Sequence, residues 1–230
     1  MKVAVIQFPG SAYQDFIYAF GEVLGLEAFP VWHEEEDLKN PDLVVVPGGF
    51  SFGDYLRPGG LAKGSVIGGP LRRFAKDGGM MLGIGNGFQI LCELGILPGA
   101  FLPNPTLDFC NELVHVVLES NKHPILRDLP NGKVFHLPLA CYSGRYFIDQ
   151  RSLNELESGG LIAFRYSDKD GECDFEKNFN GSTRSIAGII NRGENVLGLM
   201  VHPERVIEAL TGNADGRDLL AGLTAPIKAS

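Results

Sequence analysis

The feature that most constrains the fold of this chain is the stretch from Gly78 to Glu93, Gly-Gly-Met-Met-Leu-Gly-Ile-Gly-Asn-Gly-Phe-Gln-Ile-Leu-Cys-Glu. Its apolar run, Met80 to Ile84, has the length of a buried strand, and Phe88 to Leu94 reads as a helix that Gly95 is placed to stop. Gly83, Gly85 and Gly87 crowd the junction, so a strand must turn into a helix within a few residues. A sharp strand-to-helix turn is the geometry of a nucleophile elbow, whose tip stands above a sheet at the positive end of a helix dipole. A thiol held there has a lowered pKa and becomes a nucleophile. The tip in this chain is Gly85, which carries no side chain. The stretch therefore predicts the scaffold of a catalytic site with its nucleophile missing.

The rest of the first hundred residues fits a fold that would hold such an elbow. Lys2 to Gln7, Glu27 to Trp32 and Asp42 to Pro47 read as strands, the first and third continuous apolar runs suited to the middle of a parallel sheet. Tyr13 to Leu24 has apolar residues at helical spacing, with Gly25 to end it, and Leu71 to Ala75 suggests a second helix. This βαβα alternation implies right-handed crossovers and a doubly wound, mainly parallel central sheet. The second half changes rhythm. Leu113 to Leu118, Lys133 to Leu139 and Gly160 to Tyr166 are strands with little helix between them, which predicts an antiparallel extension of the sheet. Ser167 to Gly181 is a polar loop, Ile186 to Ile190 and Val196 to Val201 form a hairpin, Glu204 to Leu210 begins a helix, and the tail after Gly212 holds a short helical piece at best. With no repeat and no linker, residues 1–230 are expected to form one α/β domain.

Composition excludes several classes. A net charge of −8 argues against a general nucleic-acid binder. The longest apolar runs fall far short of the roughly 20 residues that span a bilayer, and the N-terminus runs directly into a strand, so neither a membrane span nor a signal peptide is expected. Cys92, Cys110, Cys141 and Cys173 are scattered without a CxxC pair, which points to reduced thiols and a cytoplasmic setting rather than to disulfides or a metal site.

Three loops carry chemistry at or near the carboxyl ends of predicted parallel strands, where open α/β sheets bind ligands. Gly48-Gly49 lets backbone N–H groups approach a ligand closely, as an oxyanion hole requires. The elbow at Gly85 is the second. The third is His202-Pro203-Glu204, in which residues two apart on an extended segment point the same way and Pro203 fixes φ between them. His202 and Glu204 thus form a candidate pair of base and orienting carboxylate.

Pro47 to Arg57 (PGGFSFGDYLR), Gly83 to Leu91 (GIGNGFQIL) and Asn195 to Arg205 (NVLGLMVHPER) resemble the class I, or triad, glutamine amidotransferases, whose fold is flavodoxin-like. Within that class they look most like the glutaminase subunits of bacterial and archaeal phosphoribosylformylglycinamidine synthase; Phe8-Pro-Gly10, Leu97 to Ala100, Gly144-Arg-Tyr146 and Asn178 to Ser182 extend the likeness over nearly the whole chain. The resemblance implies attack of a cysteine thiolate on the side-chain amide of glutamine, with His202 moving the proton and Glu204 orienting it. It also implies an oxyanion hole at the N–H groups of Gly49 and Asn86, and substrate contacts from Gln89 and Phe50. Ammonia would pass to a synthase subunit that uses ATP and Mg, with a small third subunit in the bacterial complex; no cofactor or metal is implied on this chain.

The departures from the pattern are as informative. Gly85 stands where the family has its nucleophilic Cys. Ser11-Ala-Tyr-Gln14 replaces the usual Ser-Asn-Cys-Asp, and Ala140-Cys-Tyr-Ser-Gly-Arg145 the usual Ala-His-Gly-Glu-Gly-Arg. Val201 precedes His202 where Pro is usual, and Ile190 falls where Cys is common. The form as it stands is expected to be inactive as a glutaminase. Two alternatives remain open: a non-catalytic glutamine-binding or scaffolding subunit, and a diverged hydrolase using Cys141 or Ser143. Cys92, seven residues past the tip, reads as a core residue, and Cys110 matches a family position without a catalytic role.

Overall fold

Val3 to Ile6 are fully buried in β1 (Lys2–Gln7), as a continuous apolar run in mid-sheet must be. In the computed structural model, which describes residues 1–174, 178 and 180–228, β1 pairs in parallel with β2 (Glu27–Trp32) and with β3 (Leu43–Val46). Parallel pairing continues from β3 to β4 (Met80–Ile84) and from β4 to β11 (Val196–Leu199). From β11 the sheet turns antiparallel, through β10 (Ile186–Ile190), β9 (Ile162–Ser167) and β6 (Cys110–Leu118) to β7 (Val134–Cys141). The nine strands stand in the order β2-β1-β3-β4-β11-β10-β9-β6-β7. The doubly wound parallel half, its antiparallel extension and the β10–β11 hairpin are thus as the sequence predicts. A small ladder of β5 (Ala100–Leu102) and β8 (Arg145–Phe147), not anticipated from the sequence, lies apart from this sheet.

Helix α1 (Tyr13–Tyr18) follows β1, α2 (Gly68–Lys76) follows β3, and α3 (Asn86–Glu93) follows β4. The chain steps one way from β1 to β2 and the other way from β3 to β4, so right-handed crossovers put α1 and α2 on opposite faces. Phe16 and Phe20 of the α1 segment and Phe88, Ile90 and Leu91 of α3 are buried in the hydrophobic core.

Four expectations need correction. The helix over Tyr13 to Leu24 is α-helical only to Tyr18 and continues as a wider π-type turn over Ala19–Val23. Between the later strands stands α4 (Gln150–Ser158); the Asp149 carboxylate accepts from the N–H groups of Arg151 and Ser152 at its start, and Leu153 and Leu156 face the core. Glu204 to Leu210 is not a helix but two short 3-10 turns, Pro203–Arg205 and Ala209–Thr211, because Val206 and Ile207 are drawn into the core in between. The tail forms a real helix, α5 (Asp215–Lys228), which buries Leu219, Leu220 and Leu223 at helical spacing. Of the predicted polar loop over 167–181, residues 175–177 and 179 lie outside the described residues.

Candidate active site

Strands β3, β4 and β11 are neighbours in register, with Val46 opposite Gly83 and Ile84 opposite Leu199, so the three predicted loops leave the sheet side by side. The elbow is formed in full. Gly85 adopts φ 53° and ψ −112°, its N–H donates to Leu199 O at 2.8 Å, and its carbonyl accepts from Phe88 and Gln89 as α3 begins. This backbone is one that side chains adopt only under strain. Gly87, next but one along the chain, lets α3 press on β3: a Cβ there would lie 1.8 Å from Val46 O.

His202 Nδ1 lies 2.7 Å from Glu204 Oε1, and both side chains are buried, 2% and 0% exposed. The second Glu204 oxygen is buried with no hydrogen-bond partner among the described residues, and Arg205 Nε lies 3.8 Å from the first. The His202 N–H donates to Pro138 O at 2.7 Å, which fixes the backbone of the base against β7. The imidazole itself is packed between two glycines. A Cβ at Gly48 would stand 2.6 Å from His202 Cε1, and one at Gly85 would stand 2.7 Å from Cε1 and 3.0 Å from Nε2. Asp15, in the first turn of α1, is tied electrostatically to the same pair: burial and then the Glu204 carboxylate push its carboxyl up.

Gly49 is held at φ 110° by a bridge to the loop after β1, in which Phe50 N–H donates to Gly10 O and Ala12 N–H to Gly48 O, both at 2.9 Å. The Gly49 N–H takes no part in either bond. The Asn86 N–H is the first of α3 and has no intrahelical acceptor. Gly49 and Asn86, the two predicted oxyanion residues, line the same cavity. The Asn86 side chain is fixed from three sides: its Oδ1 accepts from Ser51 N–H at 3.1 Å, and its Nδ2 donates to Asp54 Oδ1 at 3.1 Å and to Gln89 Oε1 at 3.0 Å. Gln89 Nε2 in turn donates to Ser143 O at 2.8 Å. Gly49, Asn86, Gln89, Ser143 and His202 line one cavity of ≈ 190 Å³, with half-exposed Phe50 at its edge. Glu204 stands behind His202, and Gly85 meets the cavity only through the imidazole.

The alternative nucleophiles fare differently. Cys141 lines the cavity, but burial pushes its thiol up to about 12, the reverse of what a nucleophile needs. Ser143 meets the site through its backbone carbonyl, and no hydrogen bond joins its hydroxyl to His202 among the described residues. The Cys92 thiol is pushed up by burial and donates to Pro98 O, away from the elbow. Asp54 is a site residue that the sequence does not announce. It lies in the glycine-rich loop after β3, lines the cavity, and is brought to Asn86 from 32 residues away in the chain, a contact no local pattern signals. Among the described residues no group of three or more His, Cys, Asp or Glu is placed to hold a metal ion, and no helix is long and apolar enough to cross a membrane.

An elbow, a Gly-Gly turn and a buried His–Glu pair leave neighbouring strands side by side, the arrangement on which amidase-type acyl-transfer sites are built, and the elbow's tip carries no side chain. The chain belongs to the CobB/CobQ-like glutamine amidotransferase domain family, whose model matches residues 1–220. It is 45% identical over 230 residues to the phosphoribosylformylglycinamidine synthase subunit PurQ of Rhodopseudomonas palustris, covering 99% of each chain, and 45% identical over 223 residues to that of Thermus thermophilus, covering 97% of each. Among solved structures, that of PurLQS from Thermotoga maritima matches with a TM-score of 0.83 at 35% identity over 96% of each chain. Another glutamine amidotransferase from Thermotoga maritima, 16% identical with a TM-score of 0.63 over 100% of this chain and 99% of its own, shares the fold.

Proposed function

We propose that this chain is the glutaminase subunit of a phosphoribosylformylglycinamidine synthase, in a form that holds glutamine without hydrolysing it. The observation that carries the reading is a buried His202–Glu204 pair beside an elbow whose tip, Gly85, has no side chain and is closed over by the imidazole itself. End-to-end identity to the PurQ relatives supports the assignment.

With a thiol at the elbow, the thiolate would attack the γ-carboxamide carbon of glutamine. The Gly49 and Asn86 N–H groups would hold the oxyanion, and His202 would give its proton to the departing ammonia. Glu204 keeps the imidazole in register. Ammonia would then pass to a synthase subunit carrying ATP and Mg, with a small third subunit in the assembly, and water would release glutamate from the thioester. Gly85 removes the first bond of this sequence. Loss of a triad nucleophile costs on the order of 10⁶-fold in turnover. Four free cysteines support work in a reducing cytoplasm, and neither nucleic acid nor membrane is expected as a partner.

The test is the reconstituted complex of this chain with its synthase and small subunits. Amidine formation driven by ammonium chloride is expected to proceed, and ammonia release from glutamine to stay near background. Glutamine turnover at ordinary enzyme rates, about 1 per second or more, would overturn the loss of glutaminase activity.

A further inference from the structure

Asp54 is an acid without a counter-charge at the wall of the cavity. It lines the cavity and is half-buried, and its one hydrogen bond, 3.1 Å from Asn86 Nδ2, comes from a neutral amide. No Lys, Arg or His among the described residues forms an ion pair with it; Arg205, which lines the same cavity, stands beside Glu204 instead. Burial accordingly pushes its carboxyl up to about 6, with the Asn86 bond opposing. Carboxylates removed from water are ordinarily paired. The loop that delivers Asp54 is also bent against preference: Phe52, Asp54 and Leu56 all take φ between 54° and 70°, on the left-handed side that side chains seldom visit. Strained backbone that brings an unpaired acid into a pocket points to a ligand that supplies the cation.

We propose that Asp54 is the specificity residue of this cavity and that its carboxylate takes the α-ammonium group of a free amino acid. The assignment rests on the reading of the cavity as a glutamine site. It adds the end of the ligand that a γ-carboxamide mechanism leaves unspecified. The amide end belongs at the Gly49 and Asn86 N–H groups beside His202, and the ammonium end belongs at Asp54, which lines the same cavity and accepts from the Asn86 side chain. Glutamine within a peptide, or N-acylated, has no ammonium there and would leave the buried carboxylate unpaired, so the site would select the free amino acid.

The absence of turnover makes the test an equilibrium one. Calorimetry would compare L-glutamine with 4-carbamoylbutanoate, the same molecule without its amino group, on the full chain and on Asp54→Asn, which keeps an oxygen acceptor for Asn86. Hydrogen bonds between charged groups are worth roughly 10- to 100-fold in affinity. The native chain is expected to prefer glutamine by at least about tenfold, and Asp54→Asn to bind both compounds alike. A preference that survives in Asp54→Asn overturns the role of Asp54 and leaves the glutamine site standing. Failure of the native chain to bind glutamine at all overturns the site and the assignment together. A second measurement needs only the native chain: carboxyl carbon NMR across pH, with His202 and Arg205 facing the same cavity in every sample. Glutamine should lower the Asp54 titration midpoint and carbamoylbutanoate should not; equal midpoints with both compounds would sink the proposal.

Discussion

At the scale of single residues, Gly85 and His202 have settled into each other's space. With Gly48 on one side and Gly85 on the other, the imidazole occupies room that a side chain at the elbow would need. Gly85→Cys should therefore do two opposing things. It should lower stability by about 1–3 kcal/mol, since a Cβ at φ 53° is strained and the buried ring, 2.7 Å away, must move aside to admit it. It should also restore ammonia release from glutamine, because His202 stays paired with Glu204 beside the elbow; a well-folded variant with no gain in activity would show that the loops at 11–14 and 141–143 no longer serve the reaction. Asp54 carries its own signature. Its carboxyl, raised to about 6, makes the folded chain hold that proton more tightly than the unfolded chain does. Stability from this group is complete below about pH 4 and is lost as pH rises through about 6. Asp54→Asn should flatten that decline and leave the protein more stable than the native chain at pH 7, as denaturant titrations at several pH values would reveal. The His202–Glu204 pair is legible in the sequence because residues two apart on an extended segment share a side. Asp54 is not, because its neighbours are set by a loop bent through positive φ.

At the scale of elements, the site depends on how closely the pieces lie. Gly87 brings α3 onto Val46 O and Gly216 brings α5 onto Pro203 O; a Cβ at either position would stand 1.8 Å from a backbone oxygen, which cannot swing aside as a side chain can. Gly87→Ala and Gly216→Ala are each expected to cost more than about 2 kcal/mol, measured by chemical denaturation, and a loss below about 0.5 kcal/mol would mean that the helices slide freely. The strands are readable because each is a short apolar run closed by glycine or proline. The helices are less so. The signals for α4 are present, an Asp at the cap and Leu153 and Leu156 three apart, but they are weak in a polar segment. The buried leucines of α5 are spread over a tail rich in Gly, Asn and Asp, where turn chemistry masks the period. The turns at 203–211 mislead in the other direction: Val206 and Ile207 have a helix's spacing partners but are claimed by the core.

At the scale of the whole molecule, the sheet order does the assembling, since residues 48, 85 and 202 meet only because β3, β4 and β11 lie side by side. Exposed Phe50 and Phe109, with rings 6.2 Å apart, line the cavity, and the chain segments that carry Asp54, Pro58 and Phe109 to it also bear Leu56 and Leu107, 86% and 65% exposed. Such a rim fits a partner face. Leu56→Asp with Leu107→Asp should abolish co-purification with the synthase subunit while glutamine binding persists; retained complex formation would move the docking face elsewhere. The base is also anchored where a cut would not be suspected of reaching it. His202 N–H is bonded to Pro138 O on β7, Asp215 accepts from His136 N–H on the same strand, and α5 lies on the turn that carries Glu204. The amide of the site histidine should then exchange with deuterium in step with those of β7 and α5, as one opening unit. A nick at residue 215 would then loosen the site from its far side, so proteolysis of the tail should weaken glutamine binding without a single contact to the ligand being touched.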